Sequence, residues 1–482
     1  MRYTKRELSS FYIDGEWVKP LGGSSLVDMI DPATEEVSGR VAFGTRQDVD
    51  RAISAAADAF VSFSRTTPQE RLALLRRIIA AYERRMADFA DAITTEMGAP
   101  YETLAITMQV PIGLWQLQTA VSCLERYELE RLQGTTRLVR EPVGVCGLIS
   151  PWNWPVNQAV CKVAPALAMG CTMVLKPSQH SSYSAQVLGE VMHEAGVPAG
   201  VFNMVYGEGR TLGEAIAGHP ALDMVSFTGS TSAGVRVAQK GAETIKRVSL
   251  ELGGKSANII LPDAPFARAV THGVEAMMVN CGQNCIAPSR MLVPNSRMEE
   301  AEALAVKACA QLVVGDPRDP KVQVGPLANE RQYRKVIELI GTGVREGAKL
   351  VTGGRERPSG LSRGYFVAPT VFSRVKRDMT IAKEEIFGPV LSILGYESEE
   401  EAIEIANDTI YGLSGYVYGP NIKRAESVAQ RLRTGMVHLN GASVDIAAPF
   451  GGYKQSGNGR EWGAFGLDEF AEVKAIMGAC SA

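Results

Sequence analysis

Two residues of this chain have types and spacing that suit covalent chemistry. Cys285 ends the turn Asn280-Cys281-Gly282-Gln283-Asn284-Cys285, and Glu251 stands thirty-four positions upstream in Leu250-Glu251-Leu252-Gly253-Gly254-Lys255. A thiol presented on a Gly-Gln-x-Cys turn attacks an electrophilic carbon, and a carboxylate that serves it moves the protons. Context must separate Cys285 from the other cysteines, at 123, 146, 161, 171, 281, 309 and 480. In a reducing compartment most cysteines are small buried hydrophobes. Cys281 reads as such a structural thiol; a redox partnership with Cys285 would need a helical segment that puts both on one face.

Four polar groups, Glu251 among them, fall at the ends of short apolar runs. In Ser150-Pro151-Trp152-Asn153-Trp154-Pro155 two prolines fix the backbone around Asn153. A rigidly held amide suits an oxyanion hole, whose donors must be in place before charge develops; the plain alternative is an Asx turn capping the next helix. Lys176, before Pro177-Ser178, reaches a ribose hydroxyl or a phosphate, or is an ordinary surface lysine. Phe227-Thr228-Gly229-Ser230-Thr231-Ser232 follows a strand and opens a helix, so its amides can receive a phosphate, unless it is only a capped helix start. Glu251, followed by Gly253-Gly254, has the apolar setting that raises a carboxyl pKa into the range of a base; the alternative is an ion pair with Lys255 or another cation.

These groups need a scaffold. Apolar runs at Val145–Ile149, Met173–Leu175, Val201–Val205, Met224–Phe227, Val248–Leu250 and Ala257–Leu261 read as strands, with helical spacing at 157–169, 182–195, 209–217 and 232–240 between them. Such alternation predicts parallel βαβ units covered on both faces, with ligands beyond the carboxyl ends of the strands. A second α/β unit follows: helices at Glu300–Leu312 and Arg331–Val344, strands at Val371–Phe372, Val390–Leu394, Gly415–Tyr418 and Met436–Leu439. Ahead of both lies a helical region, with a capping box and Pro at the first helical position in Thr67-Pro68-Gln69-Glu70. The charged stretch Glu125–Arg140 reads as a hairpin arm or a solvated loop, and the 467–482 tail as its strand partner.

At 482 residues the chain is long enough for two or three cores. A net charge of −3 with no basic run argues against nucleic acid, and no apolar stretch approaches a membrane span. The start, Met1–Val18, shows no signal-peptide core, so a cytoplasmic location is expected. Without CxxC or HxxxH spacing, no metal site is expected.

Together the motifs resemble the aldehyde dehydrogenase superfamily across essentially the whole chain. Pro151-Trp152-Asn153, Lys176-Pro177-Ser178, Phe227-Thr228-Gly229-Ser230, Glu251-Leu252-Gly253-Gly254-Lys255, Gly282-Gln283-Asn284-Cys285, Glu384-Glu385-Ile386-Phe387-Gly388-Pro389 and Pro449-Phe450-Gly451-Gly452 occur in the family's order. The resemblance implies an α/β fold: a Rossmann-like dinucleotide-binding domain (1–122 and 144–254), an α/β catalytic domain (255–453), and a β arm with C-terminal tail (123–143 and 454–482) that builds a homodimer or homotetramer. It implies oxidation of an aldehyde to the acid through a Cys285 thiohemiacetal and thioester, with NAD or NADP as hydride acceptor. Asn153 and the Cys285 amide would hold the oxyanion, and Glu251 would act as general base. Trp152, Lys176, Gln179, Gly229, Ser230, Gln332, Glu385 and Phe387 would contact the cofactor. Glu461 and Lys162 would form a rear proton relay. Trp154, Asn157, Asn284 and Phe450, with Cys161 and Val279, would line the aldehyde tunnel, which suits a moderately polar or aromatic aldehyde; Asn157 could equally be a capping residue.

Two features refine these expectations. Gln179 stands where many NAD-preferring relatives carry glutamate, which removes the repulsion of a 2′-phosphate, so NADP should at least be accepted. Glu251 favours water as the thioester's acceptor over coenzyme A, the alternative of an acylating relative. A catalytically silent dinucleotide-binding protein is the remaining alternative, and the joint presence of Cys285, Glu251 and Asn153 argues against it.

Overall fold

The structure, a computed structural model, describes residues 6–21 and 25–479. Cys480 therefore lies outside the described residues, as does the start of the Met1–Val18 segment.

Two parallel sheets organise the chain. The first has five parallel strands in the spatial order Arg247–Glu251, Met224–Thr228, Val145–Ile149, Thr172–Lys176, Phe202–Met204. Chain direction reverses its march across the sheet at Val145–Ile149, the switch point where an open α/β sheet leaves a crevice for its ligand. Antiparallel strands close both edges: Gly457–Asn458 beside Glu251, and the Phe11–Ile13 and Glu16–Val18 hairpin beside Phe202–Met204. The strands are buried along their length, as burial on both faces by helices requires. Helices Pro155–Met169, Ser182–Glu194 and Thr231–Ala242 supply the cover.

The second sheet runs Lys349–Thr352, Thr370–Ser373, Val390–Tyr396, Arg290–Pro294, Ala257–Ile260, Ser414–Tyr418, Met436–Leu439, parallel throughout except for its first strand. Its core is separate from that of the first sheet. The strands and helices expected from the apolar runs are present with ends shifted by a few residues. The 209–217 segment departs in kind: a π-helical turn over Gly209–Gly213 leads into a short α-helix.

Glu130–Gln133 and Thr136–Pro142 form a hairpin, and Ala471–Ile476 pairs antiparallel with its second strand. Residues 454–470 lie outside this three-stranded sheet. Gly457–Asn458 extends the first sheet, and Leu467 and Phe470 pack into the first core.

Helix Met86–Met97 ends at Gly98 in the left-handed conformation. A π-helix follows over Tyr101–Gln109 and continues as the α-helix Val110–Leu124. Among the described residues, no helix is long and apolar enough to cross a membrane.

Candidate active site

The nucleophile turn owes its shape to backbone that few residues adopt. Asn280, Cys281 and Gly282 are successively left-handed, at φ 55°, 56° and 67°. Asn and Gly tolerate this; for Cys281 it is strain, of order 1–3 kcal/mol. The turn is therefore not helical, and Cys281 shares no helical face with Cys285. It is instead buried in the second core. Gly282 presses on the next loop so closely that a side chain there would stand 2.1 Å from the Gly388 carbonyl.

Cys285 follows, half-buried. Its Sγ lies 3.9 Å from the Asn284 side-chain oxygen, which also accepts from the Ile286 amide at 3.4 Å. Burial, and then the carboxylates of Glu385 and Glu251, push the thiol pKa well up. The resting sulfur is therefore protonated at neutral pH and must lose its proton to attack. Around it sits an apolar chamber of Cys161, Leu413, Phe450 and Trp462, rimmed by Ile286, Met436, Val444 and Ile446. The Phe450 and Trp462 rings lie 4.4 Å apart.

Glu251 ends its strand at the edge of the first sheet, and only 2% of it is exposed. Neither carboxylate oxygen has a hydrogen-bond partner among the described residues. The alternative of an ion pair with Lys255 or another cation fails: among the described residues the Lys255 amine is also buried without a hydrogen-bond partner, and no cation bonds either Glu251 oxygen. Burial first, then Glu461, raise the Glu251 pKa well above the carboxylate range, against the pull of Lys162 and Arg460. A buried, unpaired carboxyl with a raised pKa is, once ionised, the stronger base that a proton acceptor needs.

Asn153 is buried on the loop after Val145–Ile149 and caps nothing, so the Asx-turn alternative falls away. Its Nδ2 donates to the Gln283 carbonyl at 3.1 Å, two residues before the thiol. That leaves one amide hydrogen uncommitted beside the nucleophile turn.

Behind the chamber, Lys162 donates to Glu461 and, at 3.1 Å, to Ser226. Cys161 donates to the other Glu461 oxygen at 3.3 Å. Burial opposes charge on Lys162, but Glu461, Cys161 and Glu251 together outweigh it and the amine's pKa is raised. Backbone hydrogen bonds join Phe450 to Glu461.

The cofactor residues gather along the crevice. Ser230 caps helix Thr231–Ala242 while staying exposed, with Gly229 before it. Ser150 and Thr228, at the ends of the two strands flanking the switch point, have buried hydroxyls without partners among the described residues. Lys176 is no surface lysine: it is fully buried, its amine donates to the Pro177 carbonyl at 2.9 Å, and burial pushes its pKa down to about 8. Gln179 is half-buried nearby. Orphaned hydroxyls, a buried amine and an open helix N-terminus fit a dinucleotide's hydroxyls and phosphates. At the far end the Trp152 and Phe387 rings meet edge to face at 5.5 Å. Glu385 accepts from the Gly254 amide at 2.9 Å, which ties this end to the Glu251 loop. Gln332 is committed differently from expectation. Its amide donates to the Ile386 and Phe387 carbonyls at 3.0 and 2.9 Å, so it holds the Phe387 loop.

Of the tunnel residues, Trp154 is buried with its indole N–H unpartnered. Asn157 lies inside helix Pro155–Met169 and accepts from Gln116 at 3.2 Å, so it caps no helix. Three residues beyond the sequence expectations also belong here. Trp462, left-handed at φ 69°, walls the chamber. Tyr416 donates to the Ile286 carbonyl at 2.8 Å. Gln109 reaches the Asn153 loop from the π-helix. A lone polar residue in the run Met108-Gln109-Val110-Pro111 was the available sign of the last.

The Aldehyde dehydrogenase family model matches residues 17–476. The chain belongs to the aldehyde dehydrogenase family. Among curated relatives, the 3-succinoylsemialdehyde-pyridine dehydrogenase of a Pseudomonas species is 56% identical over 98% of this chain and 99% of its own length. Among solved structures, a mutant of aldehyde dehydrogenase C from Pseudomonas syringae, in complex with NAD+ and octanal, superposes with a TM-score of 0.98 at 49% identity, over 100% of both chains. A Mycobacterium tuberculosis aldehyde dehydrogenase in complex with NAD+ gives 0.95 at 40%, over 98% of this chain and 99% of its own. This aldehyde dehydrogenase is thus an NAD(P)-dependent oxidoreductase that converts an aldehyde to its carboxylic acid.

Proposed function

We propose that Cys285 is the nucleophile, Glu251 the general base, and Asn153 with the Cys285 backbone amide the oxyanion donors. The observation that carries this is the buried Glu251 carboxyl, both oxygens free, electrostatically coupled to the Cys285 thiol. The half-buried thiol gives its proton to solvent as sulfur attacks the aldehyde carbon. The free amide hydrogen of Asn153 meets the developing oxyanion, where one such donor contributes about 3–4 kcal/mol. A bound nicotinamide supplies the hydride acceptor. The acyl group then rests on Sγ as a thioester. Glu251 activates water against it, and the proton leaves through Glu461 and Lys162.

The apolar chamber refines the substrate class to an aldehyde bearing an alkyl or aryl group, in place of a polar one. The pyridine-bearing semialdehyde in the name of the Pseudomonas relative and the octanal of the P. syringae complex both carry such a group. At the other end of the crevice, Gln179 presents no charge to a 2′-phosphate and Lys176 attracts one, so both NAD and NADP serve. Trp152, Phe387 and Glu385 hold the nicotinamide end, and Gly229 and Ser230 the pyrophosphate. The unit around the first sheet binds the cofactor, and the unit around the second carries Cys285. The arm joins subunits into a homodimer or homotetramer in the cytoplasm.

The test is a panel of alkyl, aryl and charged aldehydes with each cofactor, with and without coenzyme A, read at the NAD(P)H absorbance band. Carboxylic acid without coenzyme A, fastest with apolar aldehydes, is expected. Turnover that requires coenzyme A would overturn the hydrolytic assignment.

A further inference from the structure

Tyr101–Gln109 is π-helical for nine residues, between two well-formed α-helices. Its widened turn is shown by the Ala105 amide donating to the Pro100 carbonyl at 2.8 Å. π-Helical turns carry poorer hydrogen bonds than the α-helix and persist where something needs the extra residue. Here the segment ends by delivering Gln109, 1% exposed, to the base of the Asn153 loop.

The Gln109 amide nitrogen lies 3.1 Å from the Asn280 side-chain oxygen and 3.4 Å from the Asn153 carbonyl. Asn280 in turn donates to that same Asn153 carbonyl at 2.8 Å and to the Gln283 carbonyl at 3.2 Å. Asn153 completes the ring by donating to the Gln283 carbonyl. Gln283 donates back to the Asn280 carbonyl at 3.1 Å and accepts from the Ala328 amide at 2.9 Å. Four amide side chains thus form one buried network. The main-chain acceptors have only lone pairs to offer, so the NH2 end of Asn280 must face them. Gln109 donates to the opposite end of Asn280 and so fixes that orientation.

We infer that Gln109 is a positioning residue for catalysis: delivered by the π-helical turn, it sets Asn280 and the Asn153 peptide, and through them aims the oxyanion donor at the Cys285 turn. Two observations set it apart from ordinary core packing. Among the described residues its own Oε1 is buried without a partner, a cost that an apolar side chain of the same shape would avoid. Asn153 stands between Pro151 and Pro155 on a loop, where side chains must brace what no sheet or helix ladder does.

The inference rests on the proposed role of Asn153, and a double-mutant cycle separates the two. Gln109→Met keeps length and removes the donor; Gln109→Glu keeps shape and turns donor into acceptor. The rate of the first NAD(P)H burst is measured for each, alone and in an Asn153→Ala background, with the KM for cofactor. An error of about 1 Å at a reacting group costs up to about a hundredfold, so a fall of about tenfold is expected for Gln109→Met alone. Less than about twofold is expected once Asn153 is already alanine, with the cofactor KM unmoved. Equal losses in both backgrounds, or a raised cofactor KM, would overturn the inference. An Asn153→Ala enzyme of native rate would instead overturn the oxyanion assignment beneath it. If Gln109→Met does not fold, Gln109→Glu is read in the same way.

Discussion

The carboxylate of Glu251 lies directly against Gly451. A side chain at Gly451 would stand 2.8 Å from Glu251 Oε1, and the glycine's φ of +152° is one that other residues rarely adopt. The Pro449–Gly452 segment therefore leaves room for the base. Gly451→Ala is expected to lower kcat by about tenfold or more by displacing the carboxyl, while the initial NAD(P)H burst persists. Stopped-flow absorbance with steady-state rates checks it; a native kcat would show that the glycine is there for the fold alone.

Cofactor choice should respond to one residue. Gln179→Glu puts a carboxylate where a 2′-phosphate would lie, so kcat/KM for NADP should fall at least tenfold while that for NAD holds or rises. The pH dependence has a definite sign. Lys176 titrates near 8, below its ordinary value because it is buried. Above pH 8 it loses its charge, so the KM for NADP should climb relative to that for NAD. Parallel Michaelis curves from pH 7 to 9 measure this.

Lys255 carries a stability prediction. Its amine is buried and partnerless, and burial, with Arg290 beside it, lowers its pKa to about 7. In the unfolded chain a lysine titrates near 10.4. Between about pH 7 and 10.4 the unfolded state holds a proton that the folded state lacks, so this residue's penalty shrinks as pH rises. Lys255→Met should therefore be more stable than the native enzyme at pH 7, by a margin that closes toward pH 10. Denaturant midpoints at four pH values test it; a constant margin would contradict it.

How much of this was legible in the sequence follows from the range of the interactions. Strands such as Val145–Ile149 and Met224–Thr228 declared themselves because burial on both faces demands unbroken apolar runs. Cys285, Glu251 and Asn153 stood out because strand ends and glycine-rich turns leave local marks. What stayed hidden depends on contacts across the chain. The π-helix over Tyr101–Gln109 differs from an α-helix by one residue per turn, which no apolar period resolves. Gln332 was expected as a cofactor contact, and its bonds to backbone 54 residues away left no mark in the sequence. Trp462 takes a left-handed conformation that nothing in its own neighbourhood announces.

The arm leaves apolar side chains in water. Leu132, Val473 and Met477 are 57%, 65% and 77% exposed on or beside its strands. Leu132→Glu with Val473→Glu should shift the enzyme toward smaller species in light scattering with the active-site residues untouched. An unchanged mass would place the subunit contact elsewhere.

The central claim is that the acyl group passes through a thioester on Cys285 which Glu251 hydrolyses. Glu251→Gln, mixed with an apolar aldehyde and NAD(P)+, quenched after one turnover and weighed by intact-protein and peptide mass spectrometry, tests it most directly. About one equivalent of NAD(P)H and an acyl adduct mapped to Cys285 are expected, with steady-state turnover reduced by at least about a hundredfold. Full turnover with no adduct on Cys285 would contradict it.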